Sequence, residues 1–335
     1  MPPKILLLHS GNESFVKLDE EILNTSFEVQ DFFVQHKFPA SFFDYWNGIN
    51  QADAVFCWFA SWNSFWALLI ARVMQKGSIL VIGGYDLANL PEANYGHQRS
   101  GVMRWVSRLS MKLATCLITN SYYSQAEAQL NAGVPSGQVH VIYHGVPDPF
   151  PGMPAMPKER MALTVGKVDW PNLKRKGLEP FVHAAAYLPD VKFVLVGAWA
   201  DNSIDYLRSI APENVFFAGQ VDKDALNNYY LRASAYVQAS LHEGFGLSVA
   251  EAMLAGCIPV ATQAGSLPEV VGECGLYCNS QDPEELAQMV AKALSGSLQL
   301  GQVARQRILQ HFSVGQRQRL LQDLLQSVLR IDDAK

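Results

Sequence analysis

Short apolar runs alternate with longer stretches whose apolar residues recur at helical spacing. The apolar runs are continuous rather than alternating, which suits parallel strands buried on both faces. In the first half they predict strands at 5–9, 27–32, 54–59, 79–82, 116–119 and 139–143. Helices are predicted between them at 14–23, 65–74, 102–113 and 124–131. The proline-rich segment 147–154 breaks this rhythm and reads as a linker. The rhythm then restarts, with strands at 162–168, 193–197, 215–218, 235–238, 258–261 and 275–278. Its helices fall at 178–188, 204–210, 225–232, 247–255, 283–294 and 302–310, and a last helix at 316–330 has no strand after it. The expectation is an α/β protein of two doubly wound, Rossmann-like domains facing across a cleft. Residues 1–150 make the first, 151–312 the second, and 313–335 carry the last helix.

A chain of 335 residues accommodates two such domains, and 49% hydrophobic residues supply their cores. The net charge of −5 argues against a general nucleic-acid binder. Cys57, Cys116, Cys257, Cys274 and Cys278 are odd in number and irregular in spacing, and Cys274 and Cys278 lack a second Cys or His pair for zinc. Reduced cysteines, and an apolar run at 5–8 too short for an export signal, point to the cytoplasm. Segment 54–71 carries no charge and is near the lower length limit for a membrane span. Ser61-Trp62-Asn63-Ser64 interrupts it with turn formers, so a buried strand followed by a helix describes it better. Trp58, Trp62 and Trp66 lie close together there, which suggests a peripheral contact with the inner face of a membrane.

The chemistry concentrates in 242–256, His-Glu-Gly-Phe-Gly-Leu-Ser-Val-Ala-Glu-Ala-Met-Leu-Ala-Gly. A buried strand ends just before it. Gly244 and Gly246 permit a sharp turn and close approach of a ligand. From Leu247 the residues are good helix formers up to Gly256. The free amides of such a helix start attract an anion, usually a phosphate. Glu243 stands before the bend and Glu251 inside the helix. A pyrophosphate with a sugar at one end and a ribose at the other suits that layout.

This string resembles the signature of the retaining nucleotide-sugar glycosyltransferases of the GT-B fold, the large family 4, with its two glutamates separated by seven residues. Phe217-Ala218-Gly219-Gln220-Val221, Tyr229-Tyr230 and Ala264-Gly265-Ser266-Leu267-Pro268-Glu269 fit the same pattern. The resemblance covers most of the C-terminal half and only loosely the N-terminal half. It implies that Glu243 contacts the transferred sugar and that Glu251 accepts hydrogen bonds from ribose hydroxyls. Phe245, Gly246 and Leu247 belong to the donor-binding loop, with the backbone amides of Gly246 and Leu247 on the phosphate. Gly219, Gln220 and Val221 lie beside the base, and Glu269 holds a neighbouring loop. Lys167 and Lys176 take the family's basic positions on the diphosphate; Lys167 replaces the commoner Arg, which would grip phosphate through two donors. Arg175 reads equally as part of a solvated basic turn. In relatives the final helix crosses back onto the first domain, and the same is expected here.

The acceptor side carries fewer signals. Asn12, Glu13 and Ser14 follow the first strand and suit either a helix cap or an approach to donor phosphate or acceptor. Asp86 stands where relatives often carry His, and reads as a turn residue or a base. Tyr95, Gly96 and His97 are candidates for lining the cleft, and His144 for an interdomain contact.

The function implied is transfer of a sugar from a nucleoside diphosphate sugar, uridine or guanosine based, to an acceptor hydroxyl with retained configuration. The acceptor is a glycan, a lipid-linked sugar or a small molecule. The resemblance implies front-face departure, with the leaving phosphate helping to deprotonate the acceptor. No cofactor and no metal are expected if Lys167, Lys176 and the helix amides neutralise the diphosphate. Two alternatives stay open: a nucleotide-sugar epimerase on the same fold, and a non-catalytic nucleotide-sugar binding subunit. A nicotinamide dehydrogenase would need Gly-x-Gly-x-x-Gly after the first strand, where 9–14 reads His-Ser-Gly-Asn-Glu-Ser.

Overall fold

A computed structural model describes residues 1–333 apart from Asn12, 35–40, Met153, Ala155, Ser280 and Ser297. The chain divides into two compact units, Met1–Gly145 with Val314–Lys335, and Val146–Ser313. The division falls between Gly145 and Val146, just ahead of the proline-rich segment at 147–154.

The first unit runs β1 (Lys4–His9), α1 (Ser14–Asn24), β2 (Glu28–Phe33), α2 (Phe42–Gln51), β3 (Ala54–Trp58), α3 (Trp62–Val73), β4 (Gly77–Ile82), α4 (Val102–Leu113), β5 (Cys116–Thr119), α5 (Tyr122–Glu127) and β6 (Val139–Val141). Its sheet has the order β2-β1-β3-β4-β5-β6, every pairing parallel. Successive side chains of a strand point to opposite faces. Leu6, Leu8, Val55, Cys57, Leu80 and Ile82 therefore meet α2, α3 and α4 on one face. Ile5, Leu7, Phe56, Trp58, Ile79 and Val81 meet α1 on the other, where α14 (Val314–Asp333) adds Leu321, Leu325 and Val328.

The last helix is fixed to this unit by a buried charge pair. Arg317 donates to both carboxylate oxygens of Asp19, at 2.6 and 2.7 Å, and to the carbonyls of Ile142 and Tyr143 at 3.0 and 2.9 Å. Its guanidinium lies 5.8 Å from the Trp58 ring centre.

Two local departures have simple causes. Helix α3 starts at Trp62 rather than 65 because Ser61 and Ser64 form a reciprocal capping box, so the supposed break is the helix's own cap. Helix α2 has no counterpart in the sequence reading. Ser41 and Asp44 cap it in the same way, and Tyr45, Gly48 and Ile49 form its buried side.

The second unit runs β7 (Glu159–Val165), α6 (Trp170–Arg175), α7 (Leu178–Ala184), β8 (Lys192–Val196), α8 (Ser203–Ile210), β9 (Val215–Gly219), α9 (Lys223–Arg232), β10 (Ala233–Gln238), α10 (Leu247–Leu254), β11 (Ile258–Thr262), α11 (Leu267–Val271), β12 (Leu276–Cys278), α12 (Pro283–Leu294) and α13 (Leu298–His311). The sheet order is β12-β11-β10-β7-β8-β9, again parallel. Ala162, Phe193, Leu195, Val237 and Val260 pack with α7, α8 and α12. Helix α10 packs on β10 beside α9 and α13. The chain's direction across the sheet reverses between β7 and β10, and ligands of such sheets bind outside the carboxyl ends of the strands at that reversal.

Candidate active site

Strands β7 and β10 end at the reversal, and the segments leaving them converge. Gly177 takes a left-handed φ of 67°, and a Cβ there would lie 2.1 Å from the carbonyl oxygen of Ala239. Only glycine fits that approach. It brings the turn after α6 against the segment leaving β10. Leu241 donates its amide to the Arg175 carbonyl at 2.8 Å. Arg175 is buried; it donates to Asn172 Oδ1 at 3.0 and 2.7 Å and to the His242 carbonyl at 3.3 Å. Its burial and these bonds tie the junction together, which a solvated basic turn would not do.

Glu243 is the focus of the junction. Its Oε1 accepts hydrogen bonds from Lys176 Nζ at 3.1 Å, Gln238 Nε2 at 3.0 Å and Ser240 Oγ at 3.0 Å, with Arg175 Nη1 at 4.0 Å. The Gln238 amide is oriented by Tyr236, whose hydroxyl donates to Gln238 Oε1 at 3.1 Å. The Glu243 backbone is pinned as well: its carbonyl accepts the amide and hydroxyl of Ser266, both at 3.0 Å. Burial acts to raise the Glu243 pKa, but Lys176, Arg175 and the hydrogen bonds outweigh it and hold the carboxyl below its usual range. The result is a fixed carboxylate beside a largely buried ammonium.

Helix α10 starts four residues on, at Leu247. Gly246 has a φ of 95°, and no side chain caps the helix. Helices α6, α9 and α12 of the same unit are each capped by an aspartate, Asp169, Asp222 and Asp282, whereas α7, α8 and α11, like α10, have no side-chain cap. An uncapped helix start leaves backbone N–H groups available to an anion. Glu251, one turn along α10, accepts the Tyr230 hydroxyl at 3.1 Å; burial raises its pKa, and Lys223 opposes that shift.

The structure thus joins Lys176 with Glu243, and sets Gly246 and Leu247 at the start of the helix that carries Glu251. Lys167 stands apart from that pair: it is exposed and paired with Asp169 at 3.1 Å. Gly219 ends β9 at the sheet's edge with a φ of 72°, and Gln220 and Val221 follow it. The Phe245 side chain is buried and packs on Phe312 with ring centres 5.4 Å apart. Gln238 and Ser240 were missed by sequence. Their signal was the alternation Tyr236, Gln238, Ser240, polar positions on one side of a strand end. Asp222 and Asp224 form an Asp-x-Asp arrangement, yet Asp222 is occupied in capping α9. Among the described residues no group of three or more His, Cys, Asp or Glu is placed to hold a metal.

In the first unit, Asp86 follows β4 and is buried. Its Oδ2 accepts the Ala60 amide at 3.1 Å, and its Oδ1 lies 3.7 Å from His97 Nδ1. Burial pushes its carboxyl up to about 7 against opposing hydrogen bonds from the Ala60 and Gly83 backbone. Burial lowers the His97 pKa. Tyr85 meets both Tyr95 and His97 edge-on, with ring centres 4.9 and 4.7 Å away. The structure therefore gathers Asp86, Tyr95 and His97. Glu13 is the exposed residue before α1 and makes no capping bond with its side chain. Asn12 lies outside the described residues. His144 packs in the first unit against Trp58 and Phe15, with ring centres 6.0 and 5.0 Å away.

Residues 159–296 match the family described as Glycosyl transferases group 1. Among curated proteins, an uncharacterized 41.2 kDa protein in the cps region of Klebsiella pneumoniae is 28% identical over 56% of this chain and 54% of its own length. The O-antigen chain mannosyltransferase B of Escherichia coli is 30% identical over 40% of this chain and 36% of its own length. The chain thus spans about half or less of these relatives. Among solved structures, Anabaena HepE in complex with UDP and glucose aligns with a TM-score of 0.77 at 18% identity, covering 97% of this chain and all of that one. The likeness shows the GT-B fold.

Proposed function

Because residues 159–296 are a segment of the glycosyl transferases group 1 family, we propose that this chain transfers a hexose from a nucleoside diphosphate sugar to an acceptor hydroxyl with retention of configuration. The observation that carries the reading is the uncapped start of α10 beside the Lys176–Glu243 pair, at the reversal of the second sheet. The diphosphate sits at the amides of Gly246 and Leu247, where the helix dipole favours negative charge. Lys176 supplies the cation. Glu243 fixes that ammonium and directs its second carboxylate oxygen to a hydroxyl of the transferred sugar. Glu251 receives the ribose hydroxyls, and 219–221 lie beside the base. Exposed Lys167 contributes longer-range charge.

In the reaction the bond from the anomeric carbon to the diphosphate breaks and the bond to the acceptor oxygen forms. The acceptor proton passes to the departing diphosphate on the same face, so no protein base is required. Charge developing on the leaving group is met by groups already in place, the usual source of large rate effects. Lysine and amides do the work a divalent metal would otherwise do. The solved complex of HepE with UDP and glucose supports a uridine donor, and the mannosyltransferase relative supports a mannosyl donor.

The test is nucleotide release from a panel of uridine and guanosine diphosphate sugars, with and without EDTA, followed by NMR of the product. Release that survives EDTA, with the donor's anomeric configuration in the product, is expected. Inversion, or loss of activity on chelation restored by added metal, would refute the mechanism.

A further inference from the structure

Strand β8 of the second unit leads to an indole whose position is fixed but whose surface is open. The strand lies between β7 and β9 and is hydrogen-bonded to both. Past its end at Val196 the backbone stays braced. The Gly197 amide donates to the Gly219 carbonyl at 2.9 Å. The Val168 amide donates to the Ala198 carbonyl at 2.8 Å, and the Ala200 amide to the Val168 carbonyl at 2.9 Å. These last two bonds set Trp199 opposite Val168. A Cβ on Gly197 would lie 1.9 Å from the Gly166 carbonyl oxygen, so only glycine permits the two segments to run this close. Trp199 is thereby delivered to the carboxyl end of the strands, where ligands of such sheets bind.

The indole itself is held by two neighbours. The guanidinium carbon of Arg208, on α8, stands 4.4 Å from the ring centre, within cation–π range. The ion pair of Arg208 with Asp205 is long, at 3.9 Å, and both side chains are largely exposed, so it does not draw the guanidinium away. The six-membered ring also reaches the turn that ends β9: a Cβ on Gly219 would lie 3.4 Å from Trp199 Cζ2. Between these neighbours Trp199 keeps 44% of its surface exposed. A fixed aromatic ring offers a stacking surface, and ordering it in advance lowers the cost of binding.

The sheet order says which part of a donor would meet this ring. Glu243 follows β10, and β8 is two strands away from β10, about 10 Å across the sheet. The ring therefore stands away from the position proposed for the transferred sugar. It stands against Gly219, the first of the three residues proposed to lie beside the base, and Gln220 after it is exposed. That turn presents backbone groups to the edge of a base, and Trp199 presents a face. We propose, on the footing of the transfer reaction above, that Trp199 is the surface on which the nucleobase of the donor stacks.

The test is calorimetric titration of the full chain with uridine diphosphate, guanosine diphosphate and inorganic pyrophosphate, in the parent, Trp199→Ala and Trp199→Phe. Tryptophan emission is the second readout. Trp199→Ala should weaken the nucleotides about tenfold or more and leave pyrophosphate unchanged, since pyrophosphate has no base to stack. Trp199→Phe keeps a ring and should recover most of the lost affinity. Nucleotide should quench emission in the parent and quench it less in Trp199→Phe. Nucleotide affinity unchanged in Trp199→Ala would overturn the stacking and leave the transfer reaction standing. So would an equal loss for pyrophosphate, which would mark Trp199 as a support of the fold. A parent that binds neither nucleotide would overturn the transfer reaction itself, and the stacking with it.

Discussion

Arg317→Leu removes the charge that fixes α14 to the first unit, and the structure allows its cost to be worked out. Arg317 and Asp19 are both buried, with side-chain exposures of 1% and 0%. The substitution leaves the Asp19 carboxylate without its partner and takes a donor from the Ile142 and Tyr143 carbonyls. Breaking one side of a buried pair costs about 3–5 kcal/mol, because a charge stays buried without compensation. Urea denaturation followed by circular dichroism should show the first unit's transition displaced by that amount. The control is Asp19→Leu combined with Arg317→Leu. Replacing a whole buried pair by apolar groups is often close to neutral, so the double variant should be more stable than Arg317→Leu alone. A single variant within about 1 kcal/mol of the parent would show that the pair does not anchor the helix. A double variant as damaged as the sum of the singles would show that the residues are not coupled.

Three further outcomes follow from the same geometry. Lys176→Met should lower turnover about a hundredfold through loss of charge on the leaving group. It should also release Glu243 from its depressed pKa. A depressed carboxyl stabilises the fold above its unfolded pKa and loses that contribution as pH falls through the folded value, so the acid-unfolding midpoint should move up; an unchanged midpoint and rate would count against the pair. Gly246→Ala forces a side chain into a φ of 95°, with its Cβ 3.0 Å from Leu267 Cδ2, and should cost about 1–3 kcal/mol and weaken donor binding, read by denaturation and thermal shift. Asp86→Asn should flatten a pH dependence: with its pKa up at about 7, folded Asp86 keeps a proton that the unfolded chain has released, so parental stability declines as pH rises toward that value. Parallel profiles for parent and variant would show that Asp86 titrates normally.

The strands were legible because burial on both faces writes them as unbroken apolar runs, such as Ile5-Leu6-Leu7-Leu8. Helix α2 was not, because Phe42, Phe43 and Trp46 face outward and mask the apolar stripe that would announce it. The glutamates and Lys176 were legible through a long motif string; their spacing alone would not have joined residues 67 positions apart. Gln238 and Ser240 were hidden because a polar residue at a strand end usually signals only the edge of the core. Trp58 read both as part of a buried strand and as part of a tryptophan cluster open to a membrane; it is buried, because tertiary packing, which the sequence pattern does not show, decides between the two.

The most direct measurement is calorimetric titration of uridine diphosphate and guanosine diphosphate against their nucleosides, in the parent chain and in Lys176→Met. A preferred diphosphate should bind about a hundredfold or more tightly than its nucleoside, and Lys176→Met should shrink that gap about tenfold or more. Equal affinity for diphosphate and nucleoside, or a gap untouched by the substitution, would mean that the phosphates are not held by Lys176 and the start of α10.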